Sequence, residues 1–225
     1  MEGCQIKNDC FILCTGSSLL SLSDKEKKHI NKSPHICVNR FPVFWKILGI
    51  KPKDYIFLDD NQSVEIIERI VTNNDSMNII TSLKNQMIFE KSIKSLNPSF
   101  LSRYTIFNHT RNRKHFIDSI DSNLSLFWSS ILGSAVNYYT IIHPDRNIKI
   151  LGMDGKKSVH FWTNKCKDTL DHSCVNQEHN SVGMLKWGIP IIIRECQKRS
   201  INVYSCSHDS YWVKNKYIPY SKVLS

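Results

Sequence analysis

Seven short apolar runs, separated by turn residues and helical patterns, constrain this chain more than any other feature. They are Cys10–Cys14, His35–Asn39, Tyr55–Asp59, Met77–Thr81, Tyr104–Phe107, Ile148–Gly152 and Asn202–Ser205. Most are continuously apolar rather than alternating, as in strands buried on both faces. Between them, Val64–Val71, Leu124–Ile142 and Met184–Lys198 repeat apolar residues at helical spacing. Strands alternating with helices predict an α/β fold with a mainly parallel sheet covered on both sides. The second helical stretch is the longest and most apolar, and is expected at the domain centre. Pro190 predicts a kink in the third, or marks its true start.

The chain has 225 residues, enough for one substantial core, so a single domain over 1–225 is expected. Its eight cysteines form no regular framework, and Cys14, Cys37 and Cys206 sit in or beside apolar runs as small hydrophobes. That usage predicts a reduced, cytoplasmic protein. No basic region followed by a continuous apolar stretch opens the chain, and no apolar run is long enough to span a bilayer. The net charge of +10 suits an anionic small substrate, an anionic membrane surface or nucleic acid. Its basic residues are scattered over 25–28, 111–114, 165–167 and 214–216, with no basic helical stripe and no nucleic-acid motif, so nucleic acid is not expected.

In a parallel sheet, the ligand crevice lies outside the strands' carboxyl ends, which directs attention to the strand tips. The first run ends in Thr15-Gly16-Ser17-Ser18, where a glycine allows close approach and amides plus hydroxyls can hold an anion or a ribose. A plain turn is the alternative. The segment is neither a Walker loop nor a GxGxxG fingerprint, which argues against an ATPase or an NAD enzyme. Asn39 ends the second run, and Asp59-Asp60 the third, where an acidic pair invites either a metal or a helix-cap reading. Gly133-Ser134 interrupts an apolar helix, at a cost of roughly 1 kcal/mol for the glycine relative to alanine. It signals a helix start, or close approach of a ligand or neighbouring backbone. Gly152-Met153-Asp154 ends the sixth run, and the irregular stretch 155–180 after it is expected to form a lid. Within it, His179 precedes a helix and could titrate near neutrality as a general base, with His160, His172 and His208 as competitors. His160, Cys166, His172, Cys174 and His179 also raise a zinc reading, but no Cys-x-x-Cys occurs. The aromatic, basic 211–225 is expected to fold back on the domain.

Taken in order, these motifs resemble the single-domain bacterial sialyltransferases of glycosyltransferase family 42, which use CMP-activated sialic acid. The resemblance lies in Thr15-Gly16-Ser17-Ser18-Leu19, in the Asn and Phe of Cys37-Val38-Asn39-Arg40-Phe41, in Gly133-Ser134 and in Gly152-Met153-Asp154. Gly152-Met153-Asp154 is its most specific part. It implies a single Rossmann-like domain of GT-A variant type, with Thr15, Gly16, Ser17, Asn39, Asp59, Gly133, Ser134, Gly152 and Asp154 binding the donor. It further implies His179 as general base, and no metal or cofactor beyond the CMP-sugar substrate. The family's tyrosines that meet the departing CMP phosphate are missing from 155–162, and Lys156 and Lys157 could do that work. The implied partners are a nucleotide-sugar donor and a glycan or glycolipid acceptor, with peripheral contact to the inner membrane face and a homo-oligomer also considered. Two alternatives stay open: a non-catalytic basic binding protein of the same fold, and a pterin diphosphokinase-like enzyme.

Overall fold

A computed structural model of the chain describes residues 8–58, 64–74, 76–82, 85, 90, 104–108, 112–155, 160–161 and 181–225, with 64–66, 104 and 181–184 in backbone only. Among the described residues, seven strands form one sheet: β1 (Asp9–Leu13), β2 (His35–Val38), β3 (Asp54–Phe57), β4 (Asn78–Ser82), β5 (Tyr104–Phe107), β6 (Asn147–Leu151) and β7 (Val203–Ser205). Their spatial order is β5-β4-β3-β2-β1-β6-β7, and every ladder is parallel. Each expected strand is present, with no end displaced by more than two residues and β5 as expected at both ends. Continuous apolar runs read reliably here because both faces of the sheet are covered.

The period of two in a strand sends alternate side chains to opposite faces. Cys10, Ile12, Ile36, Val38, Ile148 and Ile150 join one core cluster with α4 (Ile131–Ile142) and α5 (Ser181–Lys198). Phe11, Leu13, Cys37 and Leu151 join another, with Ile30 of α1 (Asp24–Lys32), while α2 (Phe41–Phe44) and α3 (Val64–Asn73) complete that face. The connection leaving β1 therefore covers one face, and the connection leaving β6 the other. Since β1 and β6 are neighbours with Leu13 opposite Leu151, their carboxyl ends form the topological switch point, where an open α/β sheet collects ligands.

Two helical expectations are corrected, and α1 has no counterpart in the sequence reading. α4 begins at Ile131, not at Leu124, because Ser130 caps it by accepting from the Leu132 amide at 3.2 Å. The apolar residues ahead of it are buried without being helical. Buried Asn137 holds them on α4: its Oδ1 accepts from the Ile117 and Phe127 amides at 3.2 and 3.0 Å, and its Nδ2 donates to Ile117 O at 2.9 Å. Pro190 lies inside α5, which starts at Ser181, so the proline does not mark that start. α1 was not anticipated, because its sequence DKEKKHINK buries only Ile30 and shows no apolar stripe. Its signal was the capping box Ser23–Glu26, in which each residue's side chain accepts from the other's amide.

The chain's end packs back as expected, with Trp212 of α6 (Tyr211–Lys214), Ile218 and Val223 all buried. Val223 covers Lys149, a fully buried strand residue whose Nζ pairs with Asp9 Oδ2 at 2.7 Å and donates to Val223 O at 3.3 Å. Among the described residues, no helix is long and apolar enough to cross a membrane.

His35 opens β2 fully buried, with Nδ1 3.1 Å from Ser33 O and Nε2 2.8 Å from Lys51 O. Burial holds its pKa below the ordinary 6.5, although both carbonyls favour the charged ring. The unfolded chain therefore binds this proton more readily than the folded one. The resulting stability is present at neutral pH and is lost as pH falls below about 6.5. His143 is shifted in the same direction, mainly by burial, and adds to the slope. Thermal melts between about pH 8 and pH 5 should show Tm falling with acid, and less steeply in His35→Gln. Identical slopes in the two proteins would remove His35 as a cause.

Candidate functional site

At the switch point the β1 and β6 tips are joined. The Cys14 amide donates to Leu151 O at 2.8 Å, and the Gly16 amide to Gly152 O at 2.8 Å. Both tips need glycine. A Cβ on Gly16 would stand 2.4 Å from Asp154 Oδ2 and 2.6 Å from Gly152 O, while Gly152 has φ +71° and would press a Cβ to 3.0 Å from the Leu19 side chain. The Thr15-Gly16-Ser17-Ser18 and Gly152-Met153-Asp154 motifs thus come together from opposite halves of the chain.

Asp154 is the centre of the polar array. Its Oδ2 accepts from the Ser18 amide at 2.9 Å, and its Oδ1 accepts from the Ser18 hydroxyl. The Ser18 proton being spent there, the Ser207 hydroxyl, 2.8 Å from Ser18 Oγ, is the donor in that pair. The Asp154 carbonyl in turn accepts from the Tyr211 amide at 3.0 Å. In the Thr15–Ser18 turn, where the sequence leads one to expect an anion or a ribose, a carboxylate of the chain itself occupies the Ser18 amide. Carboxylate oxygens instead attract hydroxyl and amino groups, as a ribose or a base would offer. Burial, and then Asp154, push the Cys14 thiol up to about 12, so no thiolate nucleophile stands at the β1 tip.

Asn39 ends β2 in the left-handed region, with φ 55°, a conformation asparagine tolerates better than most residues. With Leu13 opposite Cys37, the residues that follow, Thr15 and Asn39, stand at neighbouring tips. Residues 160–161 cross the β1 tip. Gly16 and His160 form an antiparallel bridge, the Phe161 amide donates to Thr15 O at 3.0 Å, and His160 Nδ1 lies 3.0 Å from Thr15 Oγ1. Phe161 anchors the crossing, buried with its ring centroid 5.4 Å from that of Phe41.

Behind the β6 and β7 tips lies a cavity of about 780 Å³, within the range of small-molecule sites. Ser18, Asp154 and Ser207 line its polar side, and Leu19, Tyr220 and Val223 its apolar side. Ser207 and His160 enter the site only through the fold. Ser207 has no local signal, and His160 was one of several histidines.

Gly133 and Ser134 make no hydrogen bond to this array among the described residues. They lie in the first turn of α4, fully inside the protein, where Ser134 Oγ donates to Phe127 O at 3.0 Å. A Cβ on Gly133 would meet Ser129 Oγ at 2.6 Å and the Phe127 ring at 3.0 Å. Of the two readings of that glycine, helix start and close approach, both describe it, and the neighbour it approaches is the chain itself. Asp59, Lys156, Lys157 and His179 lie outside the described residues, as do Asp60, His172 and most of the expected lid. Among the described residues, no three His, Cys, Asp or Glu side chains are placed to hold a metal.

No family model and no curated protein matches the chain. Among solved structures, it is similar to the sialyltransferase CstII from Campylobacter jejuni in complex with the substrate analogue CMP-3FNeuAc, at 13% identity and a TM-score of 0.48, covering 96% of this chain and 87% of that one. It is also similar to the monofunctional α-2,3-sialyltransferase Cst-I from Campylobacter jejuni, at 14% identity and a TM-score of 0.49, covering 96% and 82%. At such identities the likeness concerns the course of the chain and not its chemistry.

Proposed function

We propose that this chain is a metal-independent glycosyltransferase that moves sialic acid, or a related sugar acid, from a CMP-activated donor to a hydroxyl of a glycan or glycolipid. One observation carries the reading. The two glycine-bearing motifs on which the sequence resemblance chiefly rests meet at the sheet's switch point, with the Gly16 amide 2.8 Å from Gly152 O. Asp154 then presents acceptor oxygens for the hydroxyl or amino groups of the nucleoside, and Thr15 and Asn39 flank it.

In the inverting displacement that fits this reading, His179 takes the acceptor proton and the acceptor oxygen bonds the anomeric carbon. The carbon–oxygen bond to CMP breaks, and the phosphate leaves with the electron pair beside Lys156 or Lys157. Contact with a membrane face and assembly into a homo-oligomer belong to this proposal as well.

The test is a thermal-shift series with CMP, CDP, UDP and GDP, with EDTA or with magnesium. At about 100 times its Kd, a ligand adds roughly 2.7 kcal/mol, or about 5–10 °C for a chain of this size. The cytidine nucleotides alone should give that shift, equally in EDTA. Equal stabilisation by all four, or by none, overturns the cytidine assignment. Turnover abolished by EDTA and restored by magnesium overturns the metal-free one. Binding of CMP with no donor hydrolysis or transfer would favour a non-catalytic protein of the same fold.

A further inference from the structure

We infer that His160 is a phosphate-binding residue of the crevice, beside the Lys156 or Lys157 of the reading above, its imidazolium form holding the phosphate of a bound cytidine nucleotide. The inference rests on the nucleotide reading above and names a residue for one part of it.

The first argument is position. His160 is fixed to the β1 tip by the bridge to Gly16, by the Phe161 amide on Thr15 O and by Nδ1 at 3.0 Å from Thr15 Oγ1. Phe161 is pinned against Phe41, which follows the β2 tip. The imidazole therefore stands against the β1 tip, half-buried, with Asn39 at the end of the neighbouring strand. A residue bridged to a strand tip through its backbone, with its ring set on Thr15, is a pre-positioned contact, which lowers the ordering cost of binding.

The second argument is charge. A phosphate at a switch point usually finds its positive partner in the amides that open the following helix. Here the Ser18 amide is taken by Asp154, whose own charge would repel a phosphate at that place. A phosphate must be met elsewhere. Among the described residues at the β1, β2 and β6 tips (14–18, 39–40 and 152–155) and the 160–161 crossing, the chargeable groups are Cys14, Arg40, Asp154 and His160. Burial pushes the Cys14 thiol up to about 12, which keeps it neutral. The β7 side adds Cys206, also pushed to about 12 by burial, and the pair His208 and Asp209, 3.7 Å apart on the cavity side, with Lys214 3.1 Å from Asp209 and with Lys222 and Glu26 lining the same cavity. Of the two histidines among these groups, His160 is the one joined to the β1 tip, and an imidazole is the kind of side chain that can change its charge near neutrality. Protonation makes both ring nitrogens donors and adds a full positive charge, and it is this charge, rather than either nitrogen, that a phosphate would sense.

The experiment compares CMP with cytidine by calorimetry on the whole chain between about pH 6.5 and 8.5, where the phosphate is mainly dianionic. In the wild type, CMP affinity should fall as pH rises, by up to roughly tenfold per unit above the histidine's pKa, while cytidine affinity stays flat. His160→Asn can keep a polar link to Thr15 yet never charges. It should bind cytidine as the wild type does and CMP on the order of tenfold more weakly at the acid end, with a flat profile. His160→Gln should behave alike if Asn destabilises the fold.

Wild-type binding of CMP with the same pH profile in both variants overturns the role of His160 and leaves the nucleotide reading standing. Loss of cytidine binding in both variants also overturns it, since His160 would then be a structural residue. Failure of the wild type to bind either ligand refutes the nucleotide reading, and this inference with it.

Discussion

Lys149→Met is expected to lower the melting temperature by about 6–20 °C, because removing one partner of a buried ion pair costs about 3–5 kcal/mol. Lys149 is 2% exposed and stands in the middle of β6. Its Nζ meets Asp9 Oδ2 at 2.7 Å, the Ser225 hydroxyl at 2.8 Å and Val223 O at 3.3 Å. Methionine fills the same space, so the loss is one of charge and hydrogen bonds rather than of volume. It leaves Asp9, 13% exposed, without its cation and the tail around Val223 without its donor. The double variant Asp9→Leu with Lys149→Met removes both charges and should regain most of the stability, since apolar replacement of a whole buried pair is often neutral or favourable. Chemical denaturation of the two single variants and the double variant measures the coupling. A single-variant loss below about 1 kcal/mol, with no coupling to Asp9, would show that the pair adds nothing to the fold.

Gly16→Ala should abolish nucleotide binding, weakening CMP by more than about tenfold, and should destabilise by about 1–3 kcal/mol through overpacking. The added methyl cannot be absorbed by a side-chain turn. It would stand 2.6 Å from the backbone carbonyl of Gly152 and 2.4 Å from Asp154 Oδ2, so the β1 and β6 tips must separate. Separation breaks the Gly16–Gly152 hydrogen bond and pulls Asp154 from Ser18. The control is Gly49→Ala. There a Cβ meets nothing within 4 Å, but φ is +73°, so the cost is backbone strain of roughly 1–2 kcal/mol. Gly49→Ala should melt lower and bind CMP like the wild type. If both variants bind CMP normally, the crevice between β1 and β6 is not where the nucleotide sits.

These residues also show where sequence reasoning reaches its end. β1 could be read from Cys-Phe-Ile-Leu and β6 from the run ending Ile-Leu, because a strand covered on both faces must be apolar throughout. Gly16 and Gly152 could be picked out because glycine after a strand implies a sharp turn or a close approach. The boundary of α4 could not be set from its pattern. Leu126 and Phe127 have the burial of helix residues but are held extended by Asn137, whose amide group satisfies the backbone of two other segments.

The sequence by itself determined the alternation of strands and helices, the predominance of parallel pairing and the glycine-bearing tips, since these follow from burial and local backbone geometry. Only the tertiary structure decided which tips are neighbours, and therefore what each polar group is bonded to. Lys149 reads locally as a flaw in a strand until Asp9 is set beside it across the β1–β6 ladder. Ser18, Asp154 and Ser207 form one array, and His160 joins Thr15, through contacts between residues 136 to 189 positions apart in the first case and 145 in the second. Local propensity carries no record of such contacts, because they are fixed by strand order and by the side of the sheet on which each crossover returns.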